Sequence, residues 1–423
     1  MTRHLHVRTL ADVLAARSAG VDRAALTAVR EIVEDVRREG DRALRRWAMH
    51  FGELKAGEPV FLDRHAIESA LDRIEPEAVE RLQRVAGRIR RFAEAQRAAV
   101  RDHEVALPGG ASGWRFVPVE RAGCYTPGGR YPLPSSALMS VIPAVIAGVE
   151  DIWVASPKPS WETLASAAIA GATGLVAAGG AQAIATLAYG AGPVPPCDVI
   201  VGPGNAFVTA AKQLVTERVA IDMLAGPSEL VVVADETAEP DLVAADLLAQ
   251  AEHDPQAIPL LITTDRSFAD AVDRALGEQL ATLPTADIAR VAVGNGGAIV
   301  VGSIDDASAA CDALAPEHLE LHVAEPEALQ ARLRHYGALF VGANAAEVLG
   351  DYGAGPNHVL PTGGTARSAG GLSVLTFLRS QTWLRIDDLS EARELVDDAA
   401  WLGRVEGLEG HARAAERRVK RER

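Results

Sequence analysis

Seven short apolar runs, which alternate with glycine and proline turns, constrain the fold of this chain more than any other feature of its sequence. Segments with helical character separate the runs, and this alternation is typical of a mostly parallel sheet covered by helices. We therefore predict an α/β fold. The runs form two sets of similar length and rhythm, without a residue-level repeat. They lie at residues 152–155, 175–177, 199–201, 230–233, 260–262, 299–301 and 339–341.

The two ends of the chain have a different texture. Apolar residues between positions 26 and 47, and again between 79 and 92, follow the helical period among many charges. This pattern predicts amphipathic helices at the start of the chain. From Gly370 onward the sequence is again charge-rich and helix-like, which predicts a helical C-terminal piece.

The stretch 163–197 contains no charged residue and is long enough to cross a bilayer. It is interrupted by several glycines and three prolines, and most of its apolar residues are alanine. Interruptions of this kind do not suit a membrane helix. We therefore interpret the stretch as the buried core of an α/β unit.

Charge and cysteine content limit the function classes. With 42 basic and 57 acidic residues the net charge is −15, which disfavours binding to nucleic acid or to anionic membranes. Three cysteines without a Cys-x-x-Cys spacing argue against a disulfide framework and against a cysteine-ligated zinc site. Since the first residues also lack the pattern of a signal peptide, a cytoplasmic location is expected.

One glycine-rich turn is a candidate cofactor element. Gly202 and Gly204 follow an apolar run, but Phe207 stands where the dinucleotide fingerprint needs its third glycine. A helix that starts after such a turn still offers free N–H groups to an anion. Cofactor binding and a plain tight turn therefore both remain open for this element.

Several polar residues could act in chemistry. Gln250 and His253 lie three apart on a predicted helix and can converge on one metal ion, although His253 could instead cap the helix. Distant partners such as Asp351 and His411 carry no local signal and could equally be unrelated surface groups. Glu317 and His318 follow a proline that indicates a turn, where a carboxylate and an imidazole can reach one cleft as water activator and proton acceptor.

Taken in order, nine segments of the chain resemble the histidinol dehydrogenase family. Each segment alone is a weak signal, but their order and separations over nearly the whole chain are specific. They lie at residues 123–129, 179–185, 201–205, 221–229, 250–253, 316–320, 350–352, 355–364 and 406–411.

This resemblance implies a zinc- and NAD-dependent oxidation of L-histidinol, through a retained aldehyde, to L-histidine. His318 would be the general base, and Glu317 would activate water for the second step. One Zn²⁺ per subunit would hold the amine and imidazole nitrogens of the substrate, since an imidazole is a good zinc ligand. The implied zinc ligands are Gln250, His253, Asp351 and His411.

The resemblance also implies the remaining contacts. Ser228 and Glu406 would line the substrate pocket together with the zinc ligands, Glu317 and His318. Tyr125, Gln182 and Asn205 would contact NAD, which would explain binding without the full glycine fingerprint.

Members of this family are homodimers, so His411 and Glu406 would complete the site of the neighbouring subunit. The implied architecture is two incomplete Rossmann-like domains with small helical terminal pieces. Residues 1–20 would form an N-terminal arm, 21–121 with 230–369 a first Rossmann-like domain, 122–229 a second one on the NAD side, and 370–423 a C-terminal dimerisation domain.

Two alternatives stay open. Positions 368–371 and 375–376 depart from the usual family pattern, so a relative that oxidises another small polar alcohol or diol with the same zinc and base is possible. The other alternative is a zinc hydrolase in which Glu317 is the base for a metal-bound water. It would use the same ligands but would give Tyr125 and Asn205 no role.

Overall fold

The computed structural model describes residues 3–17, 22–128 and 131–419, so Gly129 at the end of one family-like segment lies outside the described residues. The strands are β1 (Phe61–Asp63), β2 (His103–Leu107), β3 (Gly110–Pro118), β4 (Arg121–Tyr125), β5 (Asp151–Ala155), β6 (Gly174–Val176), β7 (Val199–Val201), β8 (Ala220–Ile221), β9 (Glu229–Ala234), β10 (Ile258–Thr263), β11 (Gly297–Val300), β12 (His318–His322), β13 (Ala338–Val341) and β14 (Leu378–Ile386).

Helices cover the sheets. They are α1 (Leu10–Ala16), α2 (Arg23–Glu39), α3 (Asp41–His50), α4 (Arg64–Glu68), α5 (Pro76–Ala99), α6 (Pro134–Ala147), α7 (Trp161–Ala170), α8 (Gly180–Tyr189), α9 (Ala206–Val215), α10 (Pro240–Ala251), α11 (Arg266–Leu280), α12 (Ala286–Asn295), α13 (Ile304–Leu314), α14 (Pro326–Gln330), α15 (Glu347–Asp351), α16 (Arg393–Val405) and α17 (Glu409–Val419). Short 3₁₀ turns occupy Ser69–Arg73, Thr365–Arg367 and Val374–Phe377.

The first sheet has the strand order β1-β6-β5-β4-β7-β8. Strands β4 to β8 are parallel, and β1 joins the edge antiparallel to β6. From β4 the chain adds β5 and β6 on one side of this strand, and β7 then pairs with β4 on its other side. The gap between β4 and β7 is therefore a topological switch point, where ligands of open α/β sheets bind.

The second sheet repeats this plan with the order β11-β10-β9-β12-β13, and all of its strands are parallel. Its switch point lies between β9 and β12. All six residues of β9 are buried, as expected for a central strand covered on both faces. The α/β prediction with mostly parallel sheets is confirmed, and each of the seven apolar runs contributes to a strand.

The charge-free stretch 163–197 is core. It supplies most of α7, the edge-side strand β6 and helix α8, whose residues Ala181 to Ala188 are all buried. Among the residues that the structure describes, no helix has the length and apolar character needed to span a membrane.

The N-terminal helices lie elsewhere than the sequence predicted. We expected 21–121 to belong with 230–369, but β1 pairs with β6, and α2 packs on α8 and α9. Val29, Val33 and Val36 of α2 share one buried cluster with α8. Because helical periodicity shows only that a helix has an apolar face, it does not show which sheet that face covers.

The C-terminal piece is also not purely helical. Strand β14 pairs antiparallel with all nine residues of β3, and β2 completes this three-stranded sheet. Apolar and polar residues do not alternate regularly along β14, so its strand state depends on pairing with β3 rather than on local pattern. Helices α16 and α17, which follow and pack on each other, agree with the predicted helical character of this segment.

Candidate active site

A row of polar side chains lies on one face of strand β12. His318, Glu320 and His322 are two residues apart, so all three point to the same face of the sheet, and all three are buried. Leu230, Val232 and Ala234 of the neighbouring β9 share this face and pack against α10. Polar groups in this position need partners from the helices that cover them.

Two helices supply those partners. Asp246 and Gln250 are one turn apart on α10, and Glu347 and Asp351 are one turn apart on α15, so each helix directs two polar groups to one side. His318, at the amino end of the β12 row, faces Asp351, and His322, at its carboxyl end, faces Asp246. Glu317, directly before β12, is also buried.

His318 is the centre of the site. Its Nδ1 lies 3.2 Å from the carbonyl oxygen of Glu229, to which it can donate. The same nitrogen is 3.6 Å from Glu347 Oε1 and 3.7 Å from Glu317 Oε2, and Nε2 is 3.6 Å from Asp351 Oδ1. Burial lowers the pKa of His318, but the facing carboxylates outweigh burial and hold it well above its usual value.

Glu317 sits in the same pocket. Its Oε2 accepts a hydrogen bond of 2.8 Å from the backbone N–H of Glu229. Burial raises the pKa of Glu317 to about 8, and the nearby His318 opposes that rise. Glu317 precedes β12 and His318 begins it, and their side chains lie 3.7 Å apart, while their roles in catalysis stay predictions.

The predicted metal ligands of one chain lie close together, with one exception. Gln250 Nε2 is 3.2 Å from His253 Nδ1, and ligand atoms of His253, Glu347 and Asp351 all lie within 4.8 Å of one another. Gln250 Oε1 is buried without a hydrogen-bond partner among the described residues. An amide oxygen, an imidazole and a carboxylate fit a borderline cation such as zinc.

The exception is His411. It is exposed on α17 and packs beside Gly403 of α16, outside the cluster formed by His253, Glu347 and Asp351. Glu406 is exposed at the end of α16. The single chain therefore does not bring these two residues to the site, and their role in a partner's site stays a prediction.

Ser228 immediately precedes β9, and its carbonyl accepts from the N–H of Ile258 at 2.9 Å. The next residue, Glu229, forms a buried ion pair with Arg17 and offers its backbone to both Glu317 and His318. Ser228 is thus adjacent in sequence to the residue whose backbone contacts Glu317 and His318, and its place in the substrate pocket stays a prediction.

Sequence reasoning missed Glu347 and the Arg17–Glu229 pair. Glu347 lies four residues before Asp351, and that helical spacing could have placed both on one face. The pair between Arg17 and Glu229 joins residues more than two hundred positions apart, so no local signal could have found it.

The residues predicted for the cofactor lie after strands of the first sheet. Tyr125 ends β4, and its hydroxyl oxygen accepts from the N–H of Gly180 at 3.1 Å. Gln182 Nε2 donates to Glu53 at 2.9 Å, while Gln182 Oε1 is buried without a partner among the described residues. Because carboxyl ends of parallel strands share one edge, Tyr125 and the turn after β7 lie at the same edge of the sheet.

The glycine turn after β7 is tightly packed and capped. Gly202 has a φ of +110°, and a Cβ on it would lie 2.0 Å from the carbonyl oxygen of Tyr125, so only glycine fits. Asn205 accepts from the N–H groups of Phe207 and Val208, each at 3.1 Å, and so caps α9. The geometry shows a capped tight turn, and a dinucleotide contact of Asn205 stays a prediction.

The fold and the site define an α/β protein with two Rossmann-like parallel sheets and a buried acid–base site beside a candidate metal centre. The profile of the family "Histidinol dehydrogenase" matches residues 15–419. The chain belongs to the histidinol dehydrogenase family, a family of oxidoreductases, as its motifs indicated.

Individual relatives agree. The chain is 46% identical over 419 residues to the histidinol dehydrogenase of Nitratidesulfovibrio vulgaris, covering 96% of this chain and 95% of that one. It is 41% identical over 420 residues to that of Nitrosomonas europaea, covering 98% and 97%. The crystal structure of histidinol dehydrogenase from Elizabethkingia anophelis superposes with a TM-score of 0.93 at 31% identity, covering 99% of both chains.

Proposed function

We propose that this protein oxidises L-histidinol through histidinal to L-histidine and reduces two NAD, with one zinc ion per subunit. The observation that carries the proposal is the buried His318, surrounded by Glu317, Glu347 and Asp351 beside the unpartnered amide oxygen of Gln250. Family membership supports the same substrate.

His318 is the proposed base. Since its Nδ1 can donate to the Glu229 carbonyl, Nε2 is left to take a proton, and this atom has no hydrogen-bond partner among the described residues. Nε2 would accept the substrate hydroxyl proton while the carbon transfers hydride to NAD, which yields the aldehyde. The surrounding carboxylates hold the pKa of His318 high and stabilise the imidazolium that forms, and a cation held by Asp351 would lower this pKa and favour the neutral base.

Glu317 is the proposed base for water in the second step. In its ionised form Glu317 can take a proton from water as the water adds to the aldehyde, while the imidazolium of His318 gives its proton to the aldehyde oxygen and becomes a neutral base again. The hydrate then loses a second hydride to another NAD and a proton to His318, so the product is the carboxylic acid. The N–H of Glu229 holds Glu317 in position for this role.

Gln250, His253 and Asp351 would hold the zinc ion, and His411 of the partner subunit would be a further ligand. Zinc, when bound, supplies a Lewis-acid centre that holds the amine and imidazole nitrogens of the substrate. Ser228 and Glu406 would line the substrate pocket. Tyr125, Gln182 and Asn205 would contact NAD at the switch point between β4 and β7.

The direct test is an NADH assay with L-histidinol and a panel of small amino alcohols and diols. We expect two NADH per histidinol, histidine as the product, and loss of turnover with a chelator. Oxidation of another alcohol but not of histidinol would instead identify a relative with a different substrate. Cleavage of an ester or amide without NAD would identify a hydrolase.

The shared site of a dimer can be tested by mixing two inactive variants, His318→Asn and His411→Asn, after reversible dissociation. If each site takes His411 from the partner, half of the dimers are mixed and keep one intact site, so activity returns to about a quarter of the wild-type value. If both residues act within one chain, no activity returns.

A further inference from the structure

A second cluster of potential ligands lies farther along the same polar row. Asp246 is one helical turn before Gln250 on α10, and Glu320 and His322 follow His318 on β12. The side chains of Glu320 and His322 are 0% and 1% exposed, whereas that of Asp246 is 14% exposed. The proposed reaction uses none of these three residues.

The distances in this cluster suit a shared cation better than direct hydrogen bonds. His322 Nε2 lies 3.5 Å from Asp246 Oδ2 and 3.5 Å from Glu320 Oε2. These separations are too long for good hydrogen bonds. Ligands bound tetrahedrally at about 2.0–2.2 Å from a zinc-like ion are about 3.4 Å apart.

Glu320 is held with one oxygen directed into the cluster. Its Oε1 accepts a hydrogen bond of 2.5 Å from the backbone N–H of Glu347, which fixes the carboxylate. Its Oε2 and both ring nitrogens of His322 are buried without a hydrogen-bond partner among the described residues. Since unpartnered buried polar atoms are rare and costly, these atoms indicate a missing ligand.

The charges agree with a divalent ion. Two carboxylates and a neutral imidazole around a dication are neutral together, which makes their burial least costly. Burial and then the charge of Glu320 raise the pKa of Asp246 to about 7, His322 opposes the rise, and a hydrogen bond from the protonated Asp246 to Glu320 adds to it. The cluster without a cation therefore tolerates a second carboxylate charge poorly.

We propose that Asp246, Glu320 and His322 form a second site for a divalent transition-metal ion of the zinc type, distinct from the site at Gln250, His253 and Asp351. A histidine with two carboxylates is a ligand set for zinc or cobalt rather than for calcium. The ion would enter at the partly exposed edge of the cluster, beside Asp246, where a water molecule can be a further ligand.

The test is the metal content of the full-length protein after dialysis against Co²⁺ and removal of free metal. We expect two cobalt ions per wild-type chain, with the visible bands of four-coordinate cobalt. His322→Gln should bind one ion fewer, and His65→Gln, in an exposed histidine of α4, should bind as the wild type does.

Asp246→Asn serves as a second variant at the half-buried edge of the cluster, in case His322→Gln does not fold. It should weaken cobalt binding at one site by at least about tenfold, as loss of a charged ligand does, and should lower the melting-temperature rise that cobalt causes. Cobalt content and melting shift equal to the wild type in the folded variants would overturn the proposal.

The two metal sites are separated by His253→Gln, which should remove the other ion. One ion per wild-type chain that is lost in His322→Gln and kept in His253→Gln would support the second site and count against zinc at His253. One ion lost only in His253→Gln would overturn the second site and leave the proposed function intact.

Discussion

The two mostly parallel sheets have the same order of central strands but differ in how their buried charges are neutralised. In the first sheet Lys212 and Asp222 form a buried ion pair, and Lys212 Nζ also donates to the Gly202 carbonyl at 3.0 Å. The other carboxylate oxygen of Asp222 accepts from the N–H of Gly202 at 2.7 Å. The charges next to this switch point are thus satisfied by the protein itself.

The second sheet buries an excess of acid. Around β12, the side chains of Glu317, Glu320 and Glu347 face two histidines, and both oxygens of Glu347 lack a partner among the described residues. Burial raises the pKa of Glu347 well above its usual value, and the charge of His318 opposes that rise. The contrast teaches that the buried charges beside the first switch point are neutralised by each other, whereas the acidic cluster around β12 has carboxylate oxygens left for bound groups.

Replacing the base should have the largest effect. His318→Asn should lower kcat by about 10²–10⁴-fold, because the variant has no group that takes the hydroxyl proton. Metal content measured by mass spectrometry should stay at the wild-type value. Loss of metal together with activity would show that His318 holds the ion rather than the proton.

Removing the lysine of the buried Lys212–Asp222 pair tests the difference between the two sheets through the free energy of unfolding. Lys212→Met should lower the free energy of unfolding in urea by about 3–5 kcal/mol, because Asp222 is left buried and unpaired. Lys55→Met, in an exposed lysine, is the matched control.

In the second sheet, Glu347→Gln should change the free energy of unfolding of the metal-free protein by less than about 1 kcal/mol, because it removes a buried carboxylate that lacks partners. A loss as large as that of Lys212→Met would show that the carboxylate of Glu347 is stabilised as well as that of Asp222 in its ion pair.

The smallest expected effect is on the pH dependence of the free energy of unfolding. The pKa of Glu317 rises from 4.5 to about 8 on folding, so the folded state binds more protons between these values. The stability of the metal-free protein should therefore fall as pH rises through this window. Glu317→Gln should make the fall shallower in urea titrations at several pH values, and an unchanged slope would contradict the assignment.

Much of the fold could be predicted because its signals are local. The run at 230–233 is part of the buried strand β9, and the charge-free stretch 163–197 supplies α8 and β6 of the first core. Strand β14 could not be predicted, because its pairing with β3 joins segments more than two hundred residues apart. The placement of α2 on the first sheet has the same cause.

The candidate site also has a part that local sequence signals predict and a part that they do not. The predicted proximity of Gln250 and His253 is observed, although α10 ends at Ala251 and His253 lies in the turn that follows, and adjacency brought Glu317 and His318 together. Glu347 was accessible to the same spacing argument but carried no motif of its own. The arrangement of Asp351 beside both pairs depends on α15 packing against α10, which no local pattern contains.

The sequence by itself determined which segments become strands and helices and which residue types are available for proton transfer and metal binding, because periodicity and motif spacing act over a few residues. Only the tertiary structure decided that one face of β12 meets Asp246 and Gln250 from one helix and Glu347 and Asp351 from another. This arrangement depends on strand order and helix packing between distant parts of the chain. It gathers the buried charged groups that form the candidate base and the candidate cation sites.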